Sequence, residues 1–244
     1  MGEAAKIAFV AAMKREIAPL VKSWTAYERE FAGRKFQFFE LENENAVVVC
    51  SGIGAENARR ATEAVIQLYK PRKIVSVGVA GALDATLKVG DVFTPRWVVD
   101  VRDGSRMDTA TEKGSGVLVS FSEVADAAQK TKLGQAYVAQ AVDMEAAAVG
   151  KGAQARGVPF TAIKAISDES SFPMPPMERF VSADGKFKTS SFALYASIRP
   201  WLWARVIRLG RNTARAVNAL CAEMAKEIEA EMQVEHSALH SVSS

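Results

Sequence analysis

Three short apolar runs constrain this chain most: residues 6–12 (KIAFVAA), 73–77 (KIVSV) and 160–166 (FTAIKAI). Each is rich in β-branched or aromatic residues and lacks a regular polar alternation. That is the pattern of strands covered on both faces. Helical segments lie between them. Ala61, Ala64, Val65 and Leu68 recur at i, i+3, i+4 and i+7 after the break at Ser51-Gly52-Ile53-Gly54, and Lys70 and Pro71 stop that helix. Residues 142–156 are alanine-rich and predict a second helix, ended by Gly157 and Pro159. Strands alternating with helices predict an α/β domain with a largely parallel sheet.

The remaining elements are read from the same rules. Residues 36–41 and 46–50 flank a turn-like 42–45 and predict a hairpin. Residues 91–100 predict a strand in which Pro95 marks a bulge or an edge. Residues 101–113 are polar and predict a loop, and 117–121 a brief strand. Pro200 can open a helix as its first residue. Beyond it, Leu202, Val206, Leu209, Val217 and Leu220 share one face, and Arg205, Arg208, Arg211 and Arg215 another. We expect a single domain over residues 1–232. Its C-terminal helical part, 185–231, is first basic and then acidic, and a polar tail over 233–244 is expected to fray.

Composition removes several chemistries. A chain of 244 residues suits one large α/β domain. His236 and His240 are the only histidines, and both lie near the C-terminus. A Ser-His-Asp triad, a Cys-His dyad or a histidine metal centre in the core is thereby nearly excluded. Cys50 and Cys221 are the only cysteines, too few for a disulfide framework or a zinc site. Acid–base work then falls to carboxylates, lysine, tyrosine or water. No metal and no organic cofactor is implied. The N-terminus does not read as a secretory signal, and no segment approaches the ~20 apolar residues of a membrane span. A cytoplasmic location is expected.

Several residues stand where chemistry is done. Ser167-Asp168 ends a buried strand, and ligands of open α/β sheets bind beyond the carboxyl ends of strands. The alternative for Asp168 is a helix cap, which the proline-rich sequence after it weakens. Gly52 and Gly54 either let backbone N–H groups cradle an anion or form a tight turn. Asp143-Met144-Glu145 opens the alanine-rich helix, so spacing alone favours helix capping for Glu145, and Glu16 has the same reading on a short helix. The arginines 205, 208, 211 and 215 lie in a stretch, 185–222, with seven basic residues and no acidic one. A solvated helix face is the commonest reading. A peripheral contact with an anionic membrane surface is second, supported by Tyr195, Trp201 and Trp203. Nucleic-acid binding is a weak third, since nothing else resembles a reading module.

Taken in order, KIAFVAAMKREI, SGIGAENA, VGVAGALDATLKVGDVF, VDMEAAAV and PFTAIKAISD resemble the nucleoside phosphorylase and nucleosidase superfamily. The subgroup they most resemble is the 5′-methylthioadenosine/S-adenosylhomocysteine nucleosidases. The region after Asp168 is similar to the hopanoid-associated branch, whose members remove adenine from an adenosylated hopanoid. The resemblance implies a three-layer α/β/α fold around a mixed sheet and cleavage of a purine–ribose bond. It implies that Asp168, beside Ser167, protonates or hydrogen-bonds the departing purine and that Glu16 positions or deprotonates the attacking water. Glu145 would hold the ribose hydroxyls with Met144 packed on the sugar, and Val79 and Gly81 would line the site. It further implies a small-molecule nucleoside substrate and a homo-oligomer. Val79 stands where the family usually has Ser or Thr, which favours hydrolysis over phosphorolysis. The segment before VDMEA is short, and either Phe121 or Val124 falls where relatives place a base-stacking aromatic. Alternatives are a phosphorylase using phosphate and a catalytically silent nucleoside-binding protein. A dinucleotide oxidoreductase is disfavoured, because Asn57 stands where a third glycine would be needed.

Overall fold

The computed structural model describes residues 6–41, 46–111, 114–182 and 185–241. In chain order its elements are β1 (Ile7–Ala11), α1 (Lys14–Ile17), a 3-10 turn at Val21–Ser23, β2 (Thr25–Phe31), β3 (Arg34–Leu41), β4 (Ala46–Cys50) and α2 (Ala55–Tyr69). Then come β5 (Lys73–Ala82), β6 (Val92–Phe93), β7 (Trp97–Asp100), β8 (Arg106–Asp108), β9 (Val117–Ser120), α3 (Ala127–Tyr137), β10 (Ala141–Asp143) and α4 (Ala146–Gln154). The chain continues with β11 (Phe160–Asp168), a 3-10 turn at Glu178–Phe180, α5 (Thr189–Ser197) and α6 (Pro200–Ser241).

The three apolar runs form the middle of one mixed sheet. β1 lies between β4 and β5, parallel to both, with Ile7 opposite Ala46 and Lys73. β5 also pairs β11 in parallel, and β10 in antiparallel. β9 then runs parallel to β10 and to β7. Central strands cannot tolerate exposed polar side chains, and β1, β10 and β11 are buried along their whole lengths. Helices cover both faces. On one, Ala58, Ala61 and Val65 of α2 and Ala147 and Val149 of α4 join a core with Ala8, Val10, Phe38 and Val49. On the other, Ile17 of α1 and Ala216, Leu220 and Met224 of α6 pack on Phe9, Val75, Val77 and Ile163. This is the three-layer α/β/α arrangement of the sequence expectation.

Local details differ from expectation for identifiable reasons. The strand read over 73–77 runs on through the glycines to Ala82, because β11 pairs with it as far as Gly81. The strand read over 91–100 splits into β6 and β7 around Pro95, which has no N–H to give to a ladder. Part of the loop read over 101–113 is β8, whose Met107 alone points inward while it pairs antiparallel with β7; residues 112–113 lie outside the described residues. The helix read from 142 starts at Ala146, since residues 141–143 are drawn into the sheet as β10. Helix α3 carries weak periodicity and has no counterpart in the sequence expectation, whereas α5 falls inside the helical part expected over 185–231. The hairpin of β3 and β4 is present, and its turn, 42–45, lies outside the described residues. Pro200 does open α6, which continues through the expected fraying point to Ser241.

Candidate active site

The carboxyl ends of β1, β5 and β11 open on a cavity of about 160 Å³. Its lining includes Glu16, Glu145 and Asp168, which arrive from three separate elements. Met144, Val79, Gly81, Ser167 and Val124 line it as well.

Glu16 sits in the single turn of α1 that follows β1. Its Oε2 accepts from Met13 N–H at 3.2 Å, which fixes the carboxylate at the strand end. Burial raises its carboxyl above the ordinary range, and the Lys164 ammonium opposes that rise. A buried carboxylate with a raised pKa is suited to take a proton from water.

Lys164 comes from the middle of β11 and is 1% exposed. Its Nζ meets Asp143 Oδ2 at 2.9 Å and donates to Ser76 Oγ at 3.1 Å. Asp143 is satisfied on every side. Ser120 Oγ donates to its Oδ1 at 2.6 Å, and Ala146 N–H to its Oδ2 at 2.9 Å. Asp143 therefore caps α4 and neutralises Lys164 together, so the capping role read from the sequence belongs to it. Glu145 takes another part. Its Oε1 accepts from Gly54 N–H at 2.8 Å. Burial and the neighbouring Asp143 push its carboxyl up to about 7, against the pull of Lys164.

The glycine loop thus does hold an anion, and the anion is the protein's own Glu145. Gly52 is not part of the cavity lining; its N–H donates instead to Ala12 O at 2.9 Å. The expectation of a ligand-binding loop is corrected to that extent. Of the two residues read as base neighbours, Val124 lines the cavity. Phe121 faces a smaller adjoining cavity on the far side of Met144, with Asp100 and Ala148.

Asp168 ends β11. Its Oδ1 accepts from Ser167 Oγ at 2.7 Å, and its Oδ2 is bound by Lys130 Nζ from α3. Lys130 also donates to Glu169 O at 2.9 Å. Gly81 leaves room for this contact: a Cβ there would lie 3.0 Å from Asp168 Oδ2 and 3.1 Å from Lys130 Cε, so one of them would have to give way. Lys130 and Lys164 were both missed in the sequence reading. A lysine inside FTAIKAI demands a buried partner and could have signalled Lys164. Lys130 gives no such sign, since QKTK reads as an ordinary helix surface.

The far wall is apolar: Met174, Met177, Val181 and Phe187. Gly185 O accepts from Ile53 N–H at 2.8 Å, tying this wall to the loop that holds Glu145. At φ +77° and with Ile53 N 2.7 Å from any added Cβ, position 185 accommodates glycine only. Among the described residues, no group of three or more His, Cys, Asp or Glu could hold a metal ion.

A family model described as the phosphorylase superfamily matches residues 6–136. The chain is 28% identical over 195 residues to a 5′-methylthioadenosine/S-adenosylhomocysteine nucleosidase of Staphylococcus aureus, covering 66% of this chain and 86% of that protein. It is 25% identical over 197 residues to an aminodeoxyfutalosine nucleosidase of Campylobacter jejuni, covering 68% and 86%. A 5′-methylthioadenosine/S-adenosylhomocysteine nucleosidase structure from Helicobacter pylori superposes with a TM-score of 0.70 at 19% identity, covering 94% of this chain and 100% of that one. The last match speaks to the fold alone.

Proposed function

This chain belongs to the phosphorylase superfamily, and from that premise we propose that it is a purine nucleosidase, hydrolysing the N-glycosidic bond of an adenosine derivative to release adenine. The observation that carries the reading is the convergence of Glu16, Glu145 and Asp168 on one cavity. Cleavage of such a bond passes through an oxocarbenium-like state, and carboxyl groups can divide the labour around it. Glu16 takes the proton of the attacking water. Glu145, with Met144, holds the ribose. Asp168 faces the leaving base, with Val124 beside it.

Water is favoured over phosphate as nucleophile. Lys164, whose charge acts most strongly on Glu16, is already engaged by Asp143 and Ser76, and Val79 offers no hydroxyl. The apolar wall at the ribose end suits an apolar 5′ group, such as a methylthio substituent or an adenosylated hopanoid. The test is adenine release, followed by ultraviolet absorbance, from 5′-methylthioadenosine, S-adenosylhomocysteine and a lipid-linked adenosine. Activity that requires phosphate makes it a phosphorylase. Tight adenosine binding without product makes it a silent binding protein.

Glu145 gives a pH dependence with a definite sign. Ribose hydroxyls donate to the ionised carboxylate, and a carboxyl near 7 is largely protonated at pH 6. The KM is therefore expected to fall as pH rises from 6 to 8. A KM that is flat or rises over that window removes Glu145 from the sugar site. The empty protein shows the opposite trend for this group. Its folded pKa lies above the unfolded value, so its contribution to stability is complete below 4.5 and is lost as pH rises through 7.

A peripheral membrane contact belongs to the same reading. Leu194, Ile198, Trp201, Trp203 and Ile207 are all exposed, and exposed Arg205, Arg208, Arg211 and Arg215 accompany them in a stretch, 185–222, that has no acidic residue. Apolar side chains beside arginine fit the headgroup region of an anionic bilayer. Among the described residues no helix is long and apolar enough to cross a membrane. Flotation with vesicles containing phosphatidylglycerol is expected to carry the wild type at low salt. Trp201→Ala combined with Arg205→Gln and Arg208→Gln should stay at the bottom while keeping adenine release from a water-soluble substrate. Equal flotation of both proteins sinks this contact, and sedimentation of the free protein shows whether a second copy covers the patch, as a homo-oligomer would.

A further inference from the structure

Lys130 is buried to 1% exposure, yet nothing in the roles above uses it. It extends from α3, whose N-terminus is fixed by a capping box. Asp126 accepts from Gln129 N–H at 2.8 Å, and Gln129 returns a bond of 2.8 Å to Asp126 N–H. The Lys130 Nζ reaches the cavity floor and binds Asp168 Oδ2. The geometry raises a question of proton supply. Asp168 accepts from Ser167 on one oxygen and from Lys130 on the other. It therefore stands in the site as an acceptor, whereas a departing purine needs a donor. The Ser167 hydroxyl is no acid near neutrality, and Lys130 is the ammonium in contact with Asp168.

We propose, on the nucleosidase reading, that Lys130 is a positioning residue that also supplies the proton leaving with the purine, handing it over through Asp168. As the C1′–N9 bond stretches, negative charge grows on the purine beside this pair and draws the proton along it. The Nζ–H bond breaks as Oδ2–H forms. The Oδ2–H bond then breaks as N7–H forms on the purine, while the electron pair of the C1′–N9 bond stays with the purine. Water adds to C1′, and its proton goes to the Glu16 carboxylate. After release, Lys130 regains a proton and Glu16 returns one through solvent. Glu169 O keeps the amine in place throughout. The absence of a side chain at Gly81 leaves room for the Nζ–Oδ2 contact beside the base.

The experiment separates charge from proton supply. Arginine keeps the charge and does not give up a proton. Lys130→Arg and the wild type are compared on 5′-methylthioadenosine and on 4-nitrophenyl riboside, whose leaving group needs no proton. For Lys130→Arg we expect a KM near wild type, a kcat on the purine substrate lower by about 10²-fold, and turnover of the nitrophenyl riboside within a few-fold of wild type. Wild-type purine turnover in Lys130→Arg overturns the proposal, as does an equal loss on both substrates. If Lys130→Arg does not fold, Lys130→Ala carries the test. Ethylamine should then restore purine release and guanidinium should not; rescue by both, or by neither, overturns the proposal. A wild type that cleaves neither substrate overturns the nucleosidase reading and this proposal with it. A wild type that cleaves both, matched by Lys130→Arg, overturns the proposal alone.

Discussion

Asp168→Asn is expected to lower the turnover of adenine release by about 10²–10⁴-fold, the usual contribution of a positioned acid or base. The change keeps the size and the hydrogen-bonding oxygen of the side chain. It removes the carboxyl oxygen that can pass a proton to the purine. The loss should fall on kcat, because the sugar end of the site, Glu145 with Gly54 behind it, is untouched. Lys130 loses its counter-charge in this variant, and at its depth an unpaired ammonium is costly. The folded fraction is therefore checked by circular dichroism at the assay temperature. Asp168→Asn combined with Lys130→Met removes both charges and should recover stability without recovering turnover. Wild-type turnover in Asp168→Asn would mean that the base leaves by another route and that the assignment of this residue is wrong.

The second large effect is on stability. Asp143→Ala is expected to destabilise the fold by about 3–5 kcal/mol, the range for breaking a buried pair from one side. Lys164, at 1% exposure, would lose its direct ion-pair partner and keep the bond to Ser76, with Glu16 and Glu145 acting on it only through space. Ala146 N–H at the start of α4 would lose its acceptor at the same time, as would the hydroxyl of Ser120. Urea unfolding reads the difference. Replacing both partners, Asp143→Leu with Lys164→Met, should recover most of it, since no charge is then left stranded. A loss below about 1 kcal/mol for Asp143→Ala would show that water reaches Lys164 and that the network is not sealed.

These two expectations mark where sequence reading succeeded and where it stopped. Asp168 and its strand were legible because a carboxylate at the end of an apolar run is a local pattern, and ligands of such sheets bind there. Glu16 and Glu145 were placed by resemblance, since their own spacing says only that helices begin nearby. Lys130 and its partner are 38 residues apart, and Lys164 and Asp143 come from different strands. Nothing in the neighbourhood of QKTK records such a pairing. The same limit explains β8, whose three residues Arg106, Met107 and Asp108 become a strand only because β7 lies beside them. It explains β10 too, where Val142 and Asp143, at the head of the alanine-rich stretch, are held in the sheet between β5 and β9.

The amino-acid order alone determined the class of fold, the central strands and the carboxylates available for chemistry, because hydrophobic periodicity and chain punctuation act over a few neighbouring residues. Tertiary structure decided which charges neutralise one another, that Gly54 serves Glu145, and that Val124 rather than Phe121 faces the cavity. Those outcomes depend on distances between segments remote in the chain. They are set by how helices and strands pack around buried charges that must find partners once water is excluded.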